Sequence, residues 1–249
     1  MAASHPKHAI NSLILLPGFD GTGRLFDGLQ KALNPNIQTT TIAYPIDEPL
    51  CYDALSTQVL RELPQAPHVL VAESFSGPVA LKVAARGPEG LKALILSASF
   101  AASPYPGLAA LLSPVLGPWC FRARIPDWAI RTFLAGADAS NELCAVVRNT
   151  ATTVSPNVMA YRLQEVMKCD ATADLRTCPV PIFYLHATKD RLLGRRVLRT
   201  LLRARPDVTV INVDGPHMLL QTEPDACAQH IKATVDGLDR TESSRRTWD

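Results

Sequence analysis

The sequence lacks the features that mark several large classes of protein. Its formal net charge is only +2, from 25 basic and 23 acidic residues, so no strong positive field favours nucleic acid as a partner. The longest early apolar run, residues 13–16, stops at Pro17 and is far too short to cross a membrane. The polar first residues lack the apolar core of a secretory signal peptide. We therefore expect a cytoplasmic protein with no membrane span and no nucleic-acid partner.

The cysteines also lack the spacings typical of metal centres and redox motifs. There are six of them, but none forms a C-x-x-C pair and no Cys/His cluster has zinc spacing. Because the cytosol is reducing, we expect free buried thiols rather than disulfides. The sequence predicts no metal and no cofactor.

What the chain does contain is an alternation of short apolar runs and longer amphipathic stretches. Hydrophobic residues make up 47% and charged residues 19% of the 249 residues, the balance of a globular protein with a substantial core. The alternation predicts β-α units and a mainly parallel sheet of six or seven strands flanked by helices. Most runs are continuously apolar, as in strands covered by helices on both faces. The predicted strands are Ser12–Leu16, Thr39–Tyr44, His68–Glu73, Leu91–Ser97, Pro181–Ala187 and Val208–Val213.

The alternation breaks over residues 100–170, where no strand pattern occurs. A structureless loop of that length is implausible, and the segment has its own helix signals. These are an apolar stripe within residues 108–116, a C-cap at Gly136, and N-caps at Ser140 and Ser155. We predict a helical cap at 100–170, with residues 1–99 and 171–249 forming the core.

The sharpest local pattern surrounds Ser74. An apolar strand runs into AESFSG at residues 72–77, and small apolar residues follow at helical spacing. A sharp strand-to-helix turn needs small residues two positions before and after its apex, where Ala72 and Ser76 stand. This variant of G-x-S-x-G predicts a nucleophile elbow that exposes the Ser74 hydroxyl. Alternatively, Ser74 only caps the following helix.

Two further residues stand where a nucleophilic serine needs partners. Asp190 and His217 follow the last two predicted strands. Serine is a weak nucleophile unless a base takes its proton and an acid orients that base. Taken singly, Asp190 reads equally well as a helix cap and His217 as a surface histidine. Their order along the chain, Ser-Asp-His at carboxyl ends of strands, predicts a catalytic triad.

A glycine-rich loop, PGFDGTG at residues 17–23, follows the first strand. Its glycines let backbone amides turn inward, and acyl transfer requires two donors for the oxyanion of the tetrahedral intermediate. We assign these donors to the N–H groups of Phe19 and Phe75. A dinucleotide-binding loop is a rival interpretation, although the glycines run G-x-x-G-x-G rather than G-x-G-x-x-G. A plain tight turn is the other alternative.

With these motifs in order, the chain resembles the α/β-hydrolase superfamily from Ser12 to Leu238. The resemblance implies the α/β-hydrolase fold and the catalytic roles of Ser74, Asp190 and His217. Two departures are Pro17-Gly18 in place of the common His-Gly, and Ala72 and Ser76 in place of the usual elbow glycines. Size, cap position and motif order are similar to small bacterial carboxylesterases, including those that demethylate pimeloyl-acyl-carrier-protein methyl ester.

The predicted cap suggests both a substrate and a partner. Its aromatic residues predict an apolar acyl or alcohol group, unless they only pack the cap on the core; they are Trp119, Phe121, Trp128 and Phe133. Its arginines are either a solvated face or a docking site for an acidic acyl carrier protein; they are Arg122, Arg124, Arg131, Arg148 and Arg162.

The predicted reaction is hydrolysis of a carboxylic ester or thioester through an acyl-enzyme on Ser74, without a cofactor. An acyltransferase would use the same triad, so that alternative stays open. A haloalkane or epoxide enzyme needs a carboxylate at the elbow, which Ser74 argues against. A ligand-binding homologue without catalysis is the alternative outside the enzymes.

Overall fold

A parallel sheet of six strands lies at the centre of the structure. The structure is a computed structural model that describes residue 10 and residues 12–33, 37–107 and 117–246, with side chains to residue 240. The strand order is β2-β1-β3-β4-β5-β6, and each neighbouring pair is parallel. The strands are β1 Ser12–Leu16, β2 Gln38–Thr41, β3 His68–Glu73, β4 Leu91–Ser97, β5 Ile182–Ala187 and β6 Thr209–Val213. The predicted α/β class and parallel sheet are confirmed.

Helices connect the strands and cover both faces of the sheet. The α-helices of four or more residues in the described chain are α1 Asp27–Leu33, α2 Tyr52–Glu62, α3 Ser76–Ala85, α4 Asn141–Thr152, α5 Pro156–Lys168, α6 Thr172–Thr177, α7 Gly194–Ala204, α8 Leu219–Thr222 and α9 Pro224–Arg246. Short 3₁₀ turns occur at Arg24–Phe26 and Pro118–Phe121, and a helical turn at Asp127–Ala129 continues as a π-helix over Ile130–Leu134.

The central strands are buried on both faces, which explains their continuous apolar runs. In β1, Ile14 and Leu16 pack into one apolar cluster, whereas Leu13 and Leu15 pack into another on the opposite face. Alternate side chains of a strand point to opposite faces, so both sets must be apolar here. All six residues of β3 are buried for the same reason.

The second strand is shorter than predicted, because the chain leaves the sheet to support a neighbouring loop. β2 ends at Thr41 rather than at Tyr44. The Ile42 amide still donates to Leu15 of β1, but the Tyr44 amide donates to the Gly21 carbonyl at 2.7 Å instead. Pro45, the next residue, has no amide hydrogen and cannot donate a hydrogen bond to a neighbouring strand. β5 and β6 each begin one residue later than predicted.

The segment between β4 and β5 contains no named strand in its described part and has the three helix caps predicted there. The Ser140 hydroxyl accepts a hydrogen bond from the Leu143 amide at the start of α4, and Ser155 caps α5 in the same way. Gly136 has φ 85° just after the π-helix, as a C-cap requires. The predicted stripe at residues 108–116 lies outside the described residues. The limits of the cap remain a prediction.

Candidate active site

Ser74 stands at the turn between β3 and α3, in a conformation that L-residues rarely adopt. Its φ is 45°, one of two positive values found for described residues other than glycine. The turn is held on both sides, since the Ser74 amide donates to Ser97 and the Ser74 carbonyl accepts from the Ser99 hydroxyl at 2.5 Å. A Cβ on Gly77 would lie 1.9 Å from the Ser99 Oγ, so only glycine fits there. The backbone thus aims the Ser74 hydroxyl away from the sheet.

His217 and Asp190 meet this hydroxyl in one chain of hydrogen bonds. The Ser74 Oγ lies 2.9 Å from the His217 Nε2, and the His217 Nδ1 lies 2.8 Å from the Asp190 Oδ2. The imidazole is 5% exposed and the Asp190 side chain 8%, so bulk water hardly competes for either bond. The three residues come from the carboxyl ends of β3, β5 and β6, as predicted for an α/β sheet.

The Asp190 carboxylate is held in an orientation that leaves one oxygen for the histidine. Its Oδ1 accepts hydrogen bonds from the amides of Leu192 and Leu193, at 2.7 and 3.0 Å. Burial alone would raise the pKa of Asp190, but the His217 bond and charge and these two amides outweigh it and lower the pKa. Asp190 therefore remains a carboxylate that fixes the imidazole with its Nδ1 protonated and its Nε2 free to accept.

The loops that carry Asp190 and His217 are tied to each other and to the helical segment above them. The amides of Thr188 and Lys189 donate to the carbonyls of Val213 and Gly215. The Met218 amide, next to the histidine, donates to the carbonyl of Leu134 at 2.9 Å. The position of the imidazole therefore depends on both the sheet edge and residues of the predicted cap.

The glycine-rich loop after β1 has hydrogen-bond donors on all five carbonyls from Pro17 to Gly21. The Ser76 hydroxyl donates to Pro17, and the Gly21 and Tyr44 amides donate to Gly18 and Gly21. Arg162 of α5 supplies the donors for Phe19 and Asp20. With its carbonyls held, the loop keeps one backbone conformation beside the Ser74 turn.

Arg162 is the largest side chain among those that are nearly inaccessible to water, with 2% exposure. Its guanidinium donates to the carbonyls of Phe19, Asp20 and Pro45 at 3.0, 2.6 and 2.9 Å. Burial lowers the pKa of Arg162, although the nearby Asp20 charge opposes this shift. A Cβ on Gly21 would lie 2.5 Å from the guanidinium, so the glycine provides the space for it.

The two predicted oxyanion donors lie on adjacent walls of the same site. Phe75 directly follows Ser74, and the rings of Phe19 and Phe75 pack edge to face with centroids 5.9 Å apart. In the loops and turns of the described residues, neither amide donates a hydrogen bond to the backbone. The arrangement leaves both N–H groups without a backbone acceptor, and their role in binding an oxyanion stays a prediction.

A cavity of about 310 Å³ opens beside Ser74 and His217. Its walls are mostly apolar and come from the core and from the segment 117–168; they include Leu25, Phe100, Phe121, Leu134, Val147 and Leu163. Of the four aromatic residues predicted to bind substrate, only Phe121 lines it. Trp119, Trp128 and Phe133 are 60%, 65% and 42% exposed and lie elsewhere, because their helical turns present them to solvent. The other aromatic residues of its wall are Phe19, Phe75, Phe100 and Tyr105.

Glu73, next to the nucleophile, is a buried carboxyl that lines this cavity. Burial, together with the nearby Asp20 charge, raises the pKa of Glu73 to about 7, while His217 and the Gly18 amide act in the opposite direction. The carboxyl therefore changes charge near neutral pH. No Lys or Arg among the described residues lines the cavity, so an anionic end of a ligand finds no counter-charge there.

Sequence reasoning missed the roles of Glu73 and Arg162, although a signal existed for each. Glu73 is an acid at the end of an otherwise apolar strand. Arg162 lies four residues from both Val158 and Val166, which places it on the buried stripe of α5. The interpretation of Arg162 as a surface residue for a carrier protein is wrong, because its guanidinium faces the loop after β1.

Two of the other four cap arginines are also engaged within the protein. Arg131 donates to the carbonyl of Ala139 and to the Asn141 side chain, and Arg148 forms an ion pair with Asp127. Arg122 and Arg124 are exposed. The cap therefore offers less free positive charge than its sequence indicates.

No helix in the described ranges is long and apolar enough to cross a membrane. Among the same residues, no three His, Cys, Asp or Glu side chains are grouped to bind a metal ion.

Comparison with known proteins shows the family to which the chain belongs. The model of the alpha/beta hydrolase family matches residues 13–230. A pimeloyl-[acyl-carrier protein] methyl ester esterase of Neisseria meningitidis is 27% identical, over 92% of this chain and 95% of its own.

Solved structures have the same fold at lower sequence identity. A lipase-esterase related protein from Clostridium acetobutylicum has a TM-score of 0.73 at 16% identity, covering 91% of this chain and 95% of its own. An enol-lactonase from Burkholderia xenovorans has a TM-score of 0.69 at 14% identity, covering 90% of each chain. With the family model matching most of its length, the chain belongs to the alpha/beta hydrolase family and has the general function of a hydrolase.

Proposed function

We propose that this hydrolase is a serine carboxylesterase that cleaves the methyl ester of an acyl chain carried by an acyl carrier protein. The observation that carries the esterase assignment is the continuous hydrogen-bond chain from Ser74 through His217 to Asp190 at the wall of an apolar cavity. The strained backbone at Ser74 and the burial of the triad reduce stability. Nucleophilic catalysis is the function that accounts for the serine, the histidine and the aspartate together.

In the proposed mechanism, the Ser74 Oγ attacks the ester carbonyl while the His217 Nε2 takes its proton. The Asp190 carboxylate stabilises the imidazolium through the Nδ1 hydrogen bond. The N–H groups of Phe19 and Phe75 bind the oxyanion, each contributing on the order of 3 kcal/mol to the transition state. His217 then protonates the departing alcohol, and water, activated by the same imidazole, hydrolyses the acyl-enzyme.

Two observations support the carrier-bound methyl ester as the substrate. The Neisseria relatives are named for a pimeloyl-[acyl-carrier protein] methyl ester, which has an apolar chain ending in an uncharged ester. The cavity suits such a group, since its walls are apolar and its charged wall residues in the described chain are the acids Asp20 and Glu73. Hydrolysis converts the neutral ester into a carboxylate, which these acids repel, so the same walls favour release of the product.

The first test is substitution of the nucleophile. Ser74→Ala removes the attacking oxygen and leaves the fold, so kcat on a chromogenic short-chain ester and on the carrier-bound methyl ester should fall roughly 10⁴- to 10⁶-fold. A fluorophosphonate probe should label the wild type at Ser74 and leave the variant unlabelled. Retained turnover in the variant would end the esterase assignment, and transfer of the acyl group to added alcohols in preference to water would identify an acyltransferase.

A matched pair of aspartates tests the acid of the triad. Asp190→Asn keeps the shape of the side chain but removes the charge that stabilises the imidazolium, so kcat should fall about 10³- to 10⁴-fold. Asp214→Asn is the control, because Asp214 is an exposed carboxylate on the loop before His217 and pairs with Lys189. Steady-state kinetics should show near wild-type turnover for the control; equal losses in both variants would contradict the role of Asp190.

The proposed location is the cytoplasm. The support for it is chemical, since all six cysteines are free thiols, as expected in a reducing compartment.

A further inference from the structure

An unusual concentration of exposed positive charge lies on α7 and in the loop between Asp190 and this helix. Its members, named here the arginine stripe, are Arg191, Arg195, Arg196, Arg199 and Arg203. All five are exposed, and residues 191–204 contain no acid. The whole protein has a net charge of only +2, so this is a local accumulation rather than a reflection of general composition.

Four members of the stripe occupy one face of α7, and Arg191 precedes the helix. Positions 195, 199 and 203 are spaced by four residues, and 196 adjoins them, so their side chains fall within one arc of about 100°. The opposite face is apolar, with Val197 and Leu201 buried against the core. Because that face is already covered by the protein, α7 has no apolar side left to insert into a lipid surface.

The stripe is not neutralised by the protein itself. Among the ion pairs of the described residues, none involves any of its five arginines. Like charges four residues apart repel one another, and Arg195 and Arg196 in the first turn oppose the helix dipole. The repulsion between these arginines weakens α7 when no anion is near. An arrangement with this cost indicates that the positive charge serves to bind an anionic partner.

The stripe lies close to the active-site cavity without lining it. Arg191 stands between Asp190 and the cavity-lining residues Leu192 and Leu193. A second cavity of about 260 Å³ includes Arg196 and Thr200 from α7 together with Pro104, and Pro104 also lines the cavity beside Ser74. A partner seated on the stripe therefore lies near the cavity that contains the nucleophile.

We infer that the arginine stripe of α7, rather than the arginines of the cap, is the docking surface for the acidic carrier protein that delivers the acyl chain. This inference rests on the proposed function, which requires a substrate attached to such a carrier. Complementary charge would speed and orient the encounter, while the apolar cavity receives the ester end of the chain. The cap arginines are less suited, since Arg131 and Arg148 are engaged within the protein and Arg162 is buried.

A pair of charge reversals tests the inference against a matched control. The stripe variant is Arg195→Glu with Arg199→Glu, and the control is Arg122→Glu with Arg124→Glu, which reverses two exposed charges on the cap. Binding of fluorescent pimeloyl-methyl-ester carrier protein is measured by anisotropy in a Ser74→Ala background, where the substrate is not consumed. At low salt the dissociation constant should rise at least about tenfold for the stripe variant and less than about threefold for the control.

Kinetics on two substrates separates docking from chemistry. With the carrier-bound ester, kcat/KM of the stripe variant should fall about tenfold through KM, and high salt should erase the difference. With a carrier-free methyl ester of the same chain, the change should stay below about twofold. Equal losses in the stripe and control variants, or tighter binding of anionic vesicles or duplex DNA than of the carrier protein, would overturn the inference. Carrier binding without turnover of any ester would instead refute the esterase and leave the docking surface standing.

Discussion

At the scale of single residues, the site combines a hydrogen-bonded triad with two buried charged groups that are not part of it. Glu73 adjoins the nucleophile, and Arg162 holds the loop that carries the Phe19 amide. Burying a charge is costly unless hydrogen bonds compensate for it. Both groups should therefore affect stability as well as activity, and each can be tested by a neutral substitution.

Glu73 makes the stability of the protein depend on pH. Its pKa is raised from 4.5 to about 7 in the folded state, so the folded protein binds this proton more tightly than the unfolded chain. The resulting penalty is absent below pH 4.5, grows as pH rises towards 7 and is constant above it. Glu73→Gln should therefore stabilise the protein at pH 8 by roughly 2–3 kcal/mol more than at pH 5, as measured by urea unfolding. The same difference in the exposed control Glu48→Gln would contradict this explanation.

Arg162 should be needed for both folding and turnover. Arg162→Met leaves three carbonyls without their donor and frees the loop after β1, so the free energy of unfolding should fall by roughly 3–5 kcal/mol. At temperatures where the variant is folded, kcat should fall more than about tenfold with little change in KM, because the Phe19 amide loses its position. Arg124→Met, on an exposed arginine, is the control. A loss of stability with unchanged kcat would limit Arg162 to a structural role.

At the scale of secondary-structure elements, the junction of β3 and α3 sets the position of the nucleophile. The helix starts so close to the chain after β4 that a Cβ on Gly77 would contact Ser99 and Phe100. The conformation of Ser74 follows from this packing, since the Ser99 hydroxyl binds its carbonyl.

Alanine substitutions at two helical glycines, Gly77 and Gly237, distinguish this packing effect from the effect of helix propensity. Gly77→Ala should cost on the order of 3 kcal/mol, because the added methyl group overlaps the Ser99 side chain. Gly237→Ala in α9 adds a methyl group that would have no described atom within 4 Å apart from its own stretch of helix, so it should be neutral or stabilising by up to about 1 kcal/mol. Thermal unfolding measures both. If Gly77→Ala does not fold, adding Ser99→Gly should restore folding in part; no rescue would contradict the predicted overlap.

At the scale of the whole molecule, residues far apart in the chain form one site because parallel strands end at a common edge. Ser74, Asp190 and His217 come from three strands, and the Met218 amide and Arg162 link the site to the helical segment between β4 and β5. The structure holds together without covalent cross-links, since every cysteine is a free thiol.

Thiol titration checks this state of the cysteines. In denaturant, with no reductant added, a thiol reagent should find all six cysteines. In the native protein, the half-buried Cys51 and Cys120 should react first, and the buried Cys144, Cys169, Cys178 and Cys227 only as fast as the fold opens. Fewer than six thiols in freshly purified, denatured protein would indicate a disulfide and would weaken the proposed cytoplasmic location.

The pattern of the sequence was enough to predict the sheet and the Ser74 turn. Continuous apolar runs predict strands buried on both faces, and Ala72, Ser76 and Gly77 are the small residues that a tight elbow needs. The helix caps at Ser140 and Ser155 could also be predicted, because a cap depends only on residues within one helical turn of it.

What only the tertiary structure decided is which side chains face water and which charges find partners. Trp119, Trp128 and Phe133 lie outside the cavity, Arg162 is buried, and α7 carries more exposed arginines than the cap does. Local periodicity follows from neighbouring residues and can be read along the chain. Exposure and charge pairing depend on segments more than a hundred residues away, such as the loop after β1 that receives Arg162.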